Sequence, residues 1–171
     1  MFKIGDFIVY GCDGVFEIVG IESKCFAGMN QENDYYILQS KENNNNKLFV
    51  PTNNELLCSK IKKILTYEEI SALIKKNDTI VNWISDNKLR SKYYKEVMNS
   101  YDREAMVALV KYLYEIKNNK QGLTKRLYSI DEDALKKMSF ALFSELSHII
   151  KILPEQVIPL ICGEIDCIEK K

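Results

Sequence analysis

Phe2-Lys-Ile-Gly-Asp-Phe-Ile-Val-Tyr-Gly-Cys-Asp-Gly-Val-Phe-Glu-Ile-Val-Gly-Ile21 decides how the first part of the chain folds. Phe2, Ile4, Phe7 and Val9, then Val15, Ile18, Val19 and Ile21, form short β-prone runs cut by Gly5-Asp6, Gly11 and Gly14. Gly11-Cys-Asp-Gly14 supplies the positive φ angles of a tight hairpin. Two further runs, Tyr35-Tyr-Ile-Leu38 and Lys47-Leu-Phe-Val50, flank an Asn-rich turn at 40–46, and Pro51 stops the last. Strands and turns at this spacing predict a small antiparallel barrel of the SH3 or Tudor type over residues 1–58. Such a barrel binds a partner, for instance by adding an edge strand. Its acids are scattered and it has no His, so no catalytic set is visible.

After Pro51 the hydrophobic period changes. Lys60-Ile-Lys-Lys-Ile-Leu65 lies in a linker, 59–65, and an all-α bundle is predicted over 66–171, making the chain α+β with two domains. Thr66 and Glu69 form a capping box before Ile70, Leu73 and Ile74, and Asn77-Asp78 ends that helix. Trp83, Leu89, Tyr93 and Val97 lie close to one face of a second helix. Ser100-Tyr-Asp102 is a turn and cap for a third, in which Met106, Leu109, Val110 and Leu113 repeat at i, i+3, i+4 and i+7. Gly122-Leu-Thr124 is a break. Leu135, Met138, Leu142, Leu146, Ile149 and Leu153 stripe a fourth helix, opened by Asp131-Glu-Asp133, whose charges suit the helix dipole, and stopped by Pro154. The tail from about 154 carries enough apolar residues for a short terminal helix or for self-association.

Across 171 residues the formal net charge is zero, which argues against a protein that coats nucleic acid by charge alone. The halves differ, however. Residues 1–58 set Lys3, Lys24, Lys41 and Lys47 against twice as many acids. Residues 80–128 carry a basic excess that includes Lys88, Arg90, Lys92, Lys95, Lys111, Lys117, Lys125 and Arg126. Opposite signs predict two different partners. Trp83, the only tryptophan, precedes the densest basic run, and a large ring beside cations suits an opened base step flanked by phosphates. The five cysteines lack Cys-x-x-Cys spacing and His148 is the only histidine, so no metal or cofactor is expected. His148 has no triad partners in view, and the paired acids Glu68-Glu69 suit a helix start, so no enzyme is expected. No apolar run approaches the ~20 residues of a membrane span, and the N-terminus lacks a signal peptide's apolar core. A cytoplasmic protein is expected.

Phe2-Lys-Ile-Gly-Asp-Phe-Ile-Val-Tyr10, Gly14-Val and Ile18-x-x-Ile21 resemble the start of the CarD/CdnL family of bacterial transcription regulators. The resemblance continues through Tyr35–Leu38, Phe49-Val-Pro51-x-Asn53, Asn82-Trp83, Lys88-x-Arg90, Tyr101-Asp102, Gly122-Leu-Thr124 and Phe143-Ser-Glu-Leu146. It implies a Tudor-like barrel docked on the RNA polymerase β subunit and a helical domain on promoter DNA at the upstream edge of the melted region. A tryptophan matching Trp83 would wedge into the minor groove there, with neighbouring cations on phosphates and little sequence readout. On this reading Trp83, Lys88, Arg90, Lys92 and Lys95, then Lys111, Lys117, Lys125 and Arg126, face DNA. Lys24, the edge strand at Tyr36, Ile37 and Leu38, and Phe49 with Pro51 face polymerase; Phe49 stands where the family's actinobacterial members carry arginine, so an apolar contact is expected there. The protein would be nucleoid-associated through polymerase, and a monomer or weak dimer. The alternative is an adaptor that binds polymerase through the barrel and leaves DNA alone, with Trp83 in the core.

Overall fold

The computed structural model describes residues 2–25, 33–42, 45–75, 80–118, 126–150 and 152–165. Its contacts divide the chain into two units, Met1–Ile64 and Leu65–Lys171.

The first unit is an antiparallel sheet. Strands β1 (Phe7–Tyr10) and β2 (Val15–Lys24) are joined by a 3₁₀ turn at Gly11–Asp13, and β3 (Asn33–Ser40) and β4 (Lys47–Pro51) follow. Gly11 at φ 51° and Gly14 at φ 102° supply the turn with backbone conformations closed to most side chains. A one-turn helix α1 (Glu55–Cys58), capped by Asn54, leads to β5 (Ile61–Lys63). The strand order is β4-β3-β2-β1-β5. The predicted linker at 59–65 is therefore partly strand: Ile61, Lys62 and Lys63 pair with Tyr10, Val9 and Ile8. Ile61 joins the core with Ile8, Tyr10, Phe16, Ile18, Tyr36, Leu38 and Val50, so removing β5 would uncover an apolar edge.

Alternation puts these core side chains on one face and Phe7, Glu17, Ile37 and Phe49 on the other. A bulge between Ile18 and Gly20 resets the register of β2. Beyond it Gly20 lies opposite Ile37, and a Cβ at Gly20 would sit 3.3 Å from Ile37 Cδ1. A side chain there would push Ile37 aside.

The second unit is helical: α2 (Tyr67–Lys75), α3 (Asn87–Ser100), α4 (Arg103–Lys117), α5 (Ser129–Ile149) and α6 (Val157–Ile161). The Thr66–Glu69 capping box forms as expected, with Thr66 N donating to Glu69 Oε2 at 2.7 Å and Glu69 N to Thr66 Oγ1 at 3.3 Å. Between α3 and α4, Tyr101 turns the chain in the left-handed region (φ 49°) and Asp102 caps α4. Helix α4 is buried at every position from Met106 to Val110, because α3, α5 and α6 all pack on it. Helix α5 buries Leu135, Met138, Leu142 and Leu146 as the periodicity predicts, whereas Leu153 lies beyond its end and is exposed.

The face predicted for α3 is corrected. The helix begins at Asn87, capped by Asp86, so Trp83 precedes it, and its buried stripe is Arg90, Tyr94 and Val97. Leu89, expected inside, is 60% exposed. A charged side chain displaces the apolar one because it has a buried partner. Asn77-Asp78, Gly122-Leu-Thr124 and Lys125 lie outside the described residues. No helix among the described residues is long and apolar enough to cross a membrane.

Candidate functional site

Trp83 stands in an irregular segment that runs into the cap of α3, where Leu89 N donates to Asp86 Oδ1 at 2.8 Å. One turn later the Arg90 side chain folds back beneath that segment. Nη1 donates to the carbonyls of Ile84 (2.6 Å) and Ser85 (3.3 Å), and Nη2 to Asn87 Oδ1 (2.8 Å). Nε and Nη2 grip Asp131 Oδ1 and Oδ2 at 2.7 and 3.2 Å. A guanidinium has five N–H donors, and here each has an internal acceptor. Arg90 is 2% exposed and Asp131 0%.

Arg90 is thus a correction to the expected DNA contacts. Its charge is spent on a buried carboxylate and its donors on the backbone before α3, so none remains for a phosphate. Its effect on Trp83 is indirect: the guanidinium carbon lies 4.3 Å from the centre of the indole ring. Tyr112 approaches the same ring from α4 at 6.2 Å, tilted by 50°. Trp83 is half-buried, its ring held between Arg90 and Tyr112.

Asp131 collects further groups. The Tyr94 hydroxyl donates to its Oδ1 at 3.0 Å, and Tyr128 N donates to its Oδ2 at 2.9 Å. Burial, then the adjacent Asp131 carboxylate, push the Tyr94 phenol well above the usual tyrosine range, keeping it a donor. The acid that suits the start of α5 is also the counter-ion that lets Arg90 go inside. A second pair has the same character: Arg103 donates to both oxygens of Glu145 at 2.8 Å, and Glu145 also accepts from Tyr101 Oη and Leu65 N.

The remaining cations divide by helix geometry. Lys88, Lys92 and Lys95 recur at i, i+4 and i+7 and are exposed on α3. At about 100° per residue this stripe runs about 200° around the helix from Arg90, Tyr94 and Val97. Lys88, in the first turn, is the one nearest in sequence to the Trp83 segment. Lys92 lies 3.8 Å from Glu96. Lys117 and Arg126 are exposed, whereas Lys111 is half-buried and its Nζ donates to the Ile74 carbonyl at 3.3 Å.

In the sheet unit, Tyr36, Ile37 and Leu38 are corrected as polymerase contacts. Strand β3 pairs with β2 on one side and β4 on the other, so it is interior and all three residues are buried. The edges are β4 and β5. Phe49, on β4, is partly exposed, and Lys24 Nζ sits 4.5 Å above its ring while pairing with Glu22 at 3.1 Å. Pro51 is half-buried opposite Tyr35. The arrangement recurs further along the same face, where Lys41 Nζ sits 5.1 Å from the Phe7 ring and 3.1 Å from Glu17. Phe7 and Lys41 were missed by sequence reasoning, because Phe7 looked like a strand residue and Lys41 like a turn residue. Asp131 and Tyr128 were missed because they lie far along the chain from Arg90.

Among the described residues no three His, Cys, Asp or Glu side chains gather to hold a metal ion. A comparison with curated proteins finds no match. Residues 2–65, the stretch that makes the sheet unit, match the family model of the CarD-like/TRCF RID domain.

Proposed function

We propose that the protein is a non-enzymatic transcription regulator that binds the RNA polymerase β subunit through its sheet unit and stabilises the open promoter complex through its helical unit. In this reading the sheet is a Tudor-like barrel, the helices form a bundle, and the protein works in the cytoplasm on polymerase-bound promoters without a cofactor. The observation that carries it is Trp83: a half-buried ring anchored by Arg90, in a chain whose residues 2–65 match a CarD-like/TRCF RID domain. An apolar ring placed at an opened base step offsets part of the few kcal/mol lost on unstacking. Lys88 is the phosphate contact nearest to it in the chain, Arg126 is a second one two residues before Tyr128, and Lys92, Lys95 and Lys117 add charge without reading sequence.

The polymerase contact is assigned to Phe49, Lys24 and β4, which offers an apolar ring and is an edge strand of the sheet among the described residues. A pull-down of polymerase by the full chain tests it. Phe49→Asp is expected to abolish capture and Trp83→Ala to leave it intact; capture that survives Phe49→Asp together with Lys24→Glu overturns the assignment. The adaptor reading has one observation in its favour, the packing of Trp83 against both Arg90 and Tyr112. It predicts that Lys88→Glu and Arg126→Glu leave promoter-complex lifetimes unchanged.

A further inference from the structure

Arg90 has two aromatic neighbours. Besides Trp83 at 4.3 Å, the ring of Tyr128 lies with its centre 5.6 Å from the guanidinium carbon. Tyr128 comes from a different part of the chain, the residue before α5, and it is 56% exposed. A single exposed tyrosine is ordinary. This one is fixed at its backbone: its N–H donates to Asp131 Oδ2 at 2.9 Å, and its carbonyl accepts from Asp131 N at 2.9 Å and Glu132 N at 3.1 Å. The carboxylate that fixes it also holds Arg90, which in turn holds the backbone beside Trp83. Two partly exposed rings are therefore referenced to one buried ion pair, and Arg126, exposed, is two residues from the second ring.

We infer that Tyr128 is a second stacking surface of the Trp83 site, taking an unpaired base or its sugar next to the step that Trp83 opens. The inference rests on the reading of Trp83 as a contact to melted DNA. The two distances to Arg90 bound the separation of the ring centres at about 10 Å, roughly three nucleotide steps of 3.4 Å on one strand. Both rings therefore fall within the reach of a few consecutive nucleotides at one edge of a bubble. A tyrosine face accepts any base, so the contact adds affinity for unpaired DNA without adding sequence preference. Arg90 is the positioning residue of this pair: with all its donors engaged it touches no DNA, yet it sets where both rings stand.

The test uses the full chain with polymerase on a promoter that carries 2-aminopurine at the upstream bubble edge or, in separate templates, one, two or three nucleotides away. Open-complex lifetime and probe emission are read for wild type, Trp83→Ala, Tyr128→Ala and Tyr128→Phe. Tyr128→Ala is expected to shorten the lifetime about fivefold or more and to release probe emission at a position different from the one released by Trp83→Ala. Tyr128→Phe, which keeps the ring, is expected to match wild type. The indole emission of the free protein, which comes from Trp83 alone, serves as the control for folding and position. If Trp83→Ala acts and Tyr128→Ala does not, the second surface is overturned and the reading of Trp83 stands. A Tyr128→Ala variant that reproduces every effect of Trp83→Ala, with a shifted indole emission, overturns it too, since Tyr128 would then act only through Arg90. If neither variant has an effect, the proposed function fails, and this inference with it.

Discussion

The two units use the same residue types in opposite ways. In the sheet unit, Lys24 and Lys41 lie over the rings of Phe49 and Phe7 and pair with Glu22 and Glu17 at the surface, where water screens them. In the helical unit, Arg90 is drawn fully inside onto Asp131, and Arg103 is drawn partly inside onto the buried Glu145. Lysine keeps a strongly hydrated point charge that is costly to bury, whereas the planar fork of arginine can satisfy a carboxylate and several carbonyls together. Surface sets of the first kind add little stability and remain available to a partner. Buried pairs of the second kind fix geometry and are closed to one. The difference separates candidate contacts from scaffolding within a chain whose basic residues look alike on paper.

The comparison is broken first by Asp131→Ala. It strands Arg90 without a counter-ion and takes the acceptor from Tyr128 N, and urea unfolding is expected to lose about 3–5 kcal/mol. A loss below about 1 kcal/mol, the level of a surface pair, would show that the charge is not buried in solution. The double substitution Arg90→Met with Asp131→Leu sharpens the point, because apolar replacement of a buried pair is often neutral. Part of the stability should return, the Tyr94 hydroxyl and Tyr128 N still lacking their acceptor, while the indole emission moves to the red as the segment before α3 loses its ties to Nη1. Recovery of both stability and emission would remove Arg90 from the positioning of Trp83.

Smaller effects are expected on the sheet. Lys24→Ala should cost at most about 0.5–1 kcal/mol, the scale of an exposed cation–π contact, while weakening capture of polymerase. Loss of stability without loss of capture would make Lys24 scaffolding after all. Smallest of all, Lys92→Ala should leave the unfolding midpoint where it is, since its pair with Glu96 is solvent-exposed on both sides. A measurable drop would mean that the lysine stripe of α3 holds the helix rather than a ligand.

These contrasts also explain what could be read from the chain before its structure. The glycine hairpin, the capping box at Thr66 and the stripe of α4 are local: turn chemistry, a side chain three residues from its N–H, and a period of 3.6 suffice. Whether β3 was edge or interior was not local, since it depends on strand order, and the expected edge contact at Tyr36–Leu38 failed for that reason. Strand β5 was taken for a linker because one isoleucine followed by two lysines carries almost no pattern until β1 lies beside it. Arg90 was placed with the phosphate-binding cations because its partner lies 41 residues further on. Trp83, by contrast, stood out by composition, and the structure adds what sequence could not: the ring is held by a guanidinium on which a second aromatic converges.

The lifetime of the open promoter complex, measured with wild-type protein and with Trp83→Ala at concentrations that saturate polymerase, tests the central claim most directly. The account predicts that the wild type lengthens the lifetime, that Trp83→Ala loses most of that gain, and that both proteins bind polymerase equally. Equal lifetimes for wild type and variant, with equal binding, would contradict it.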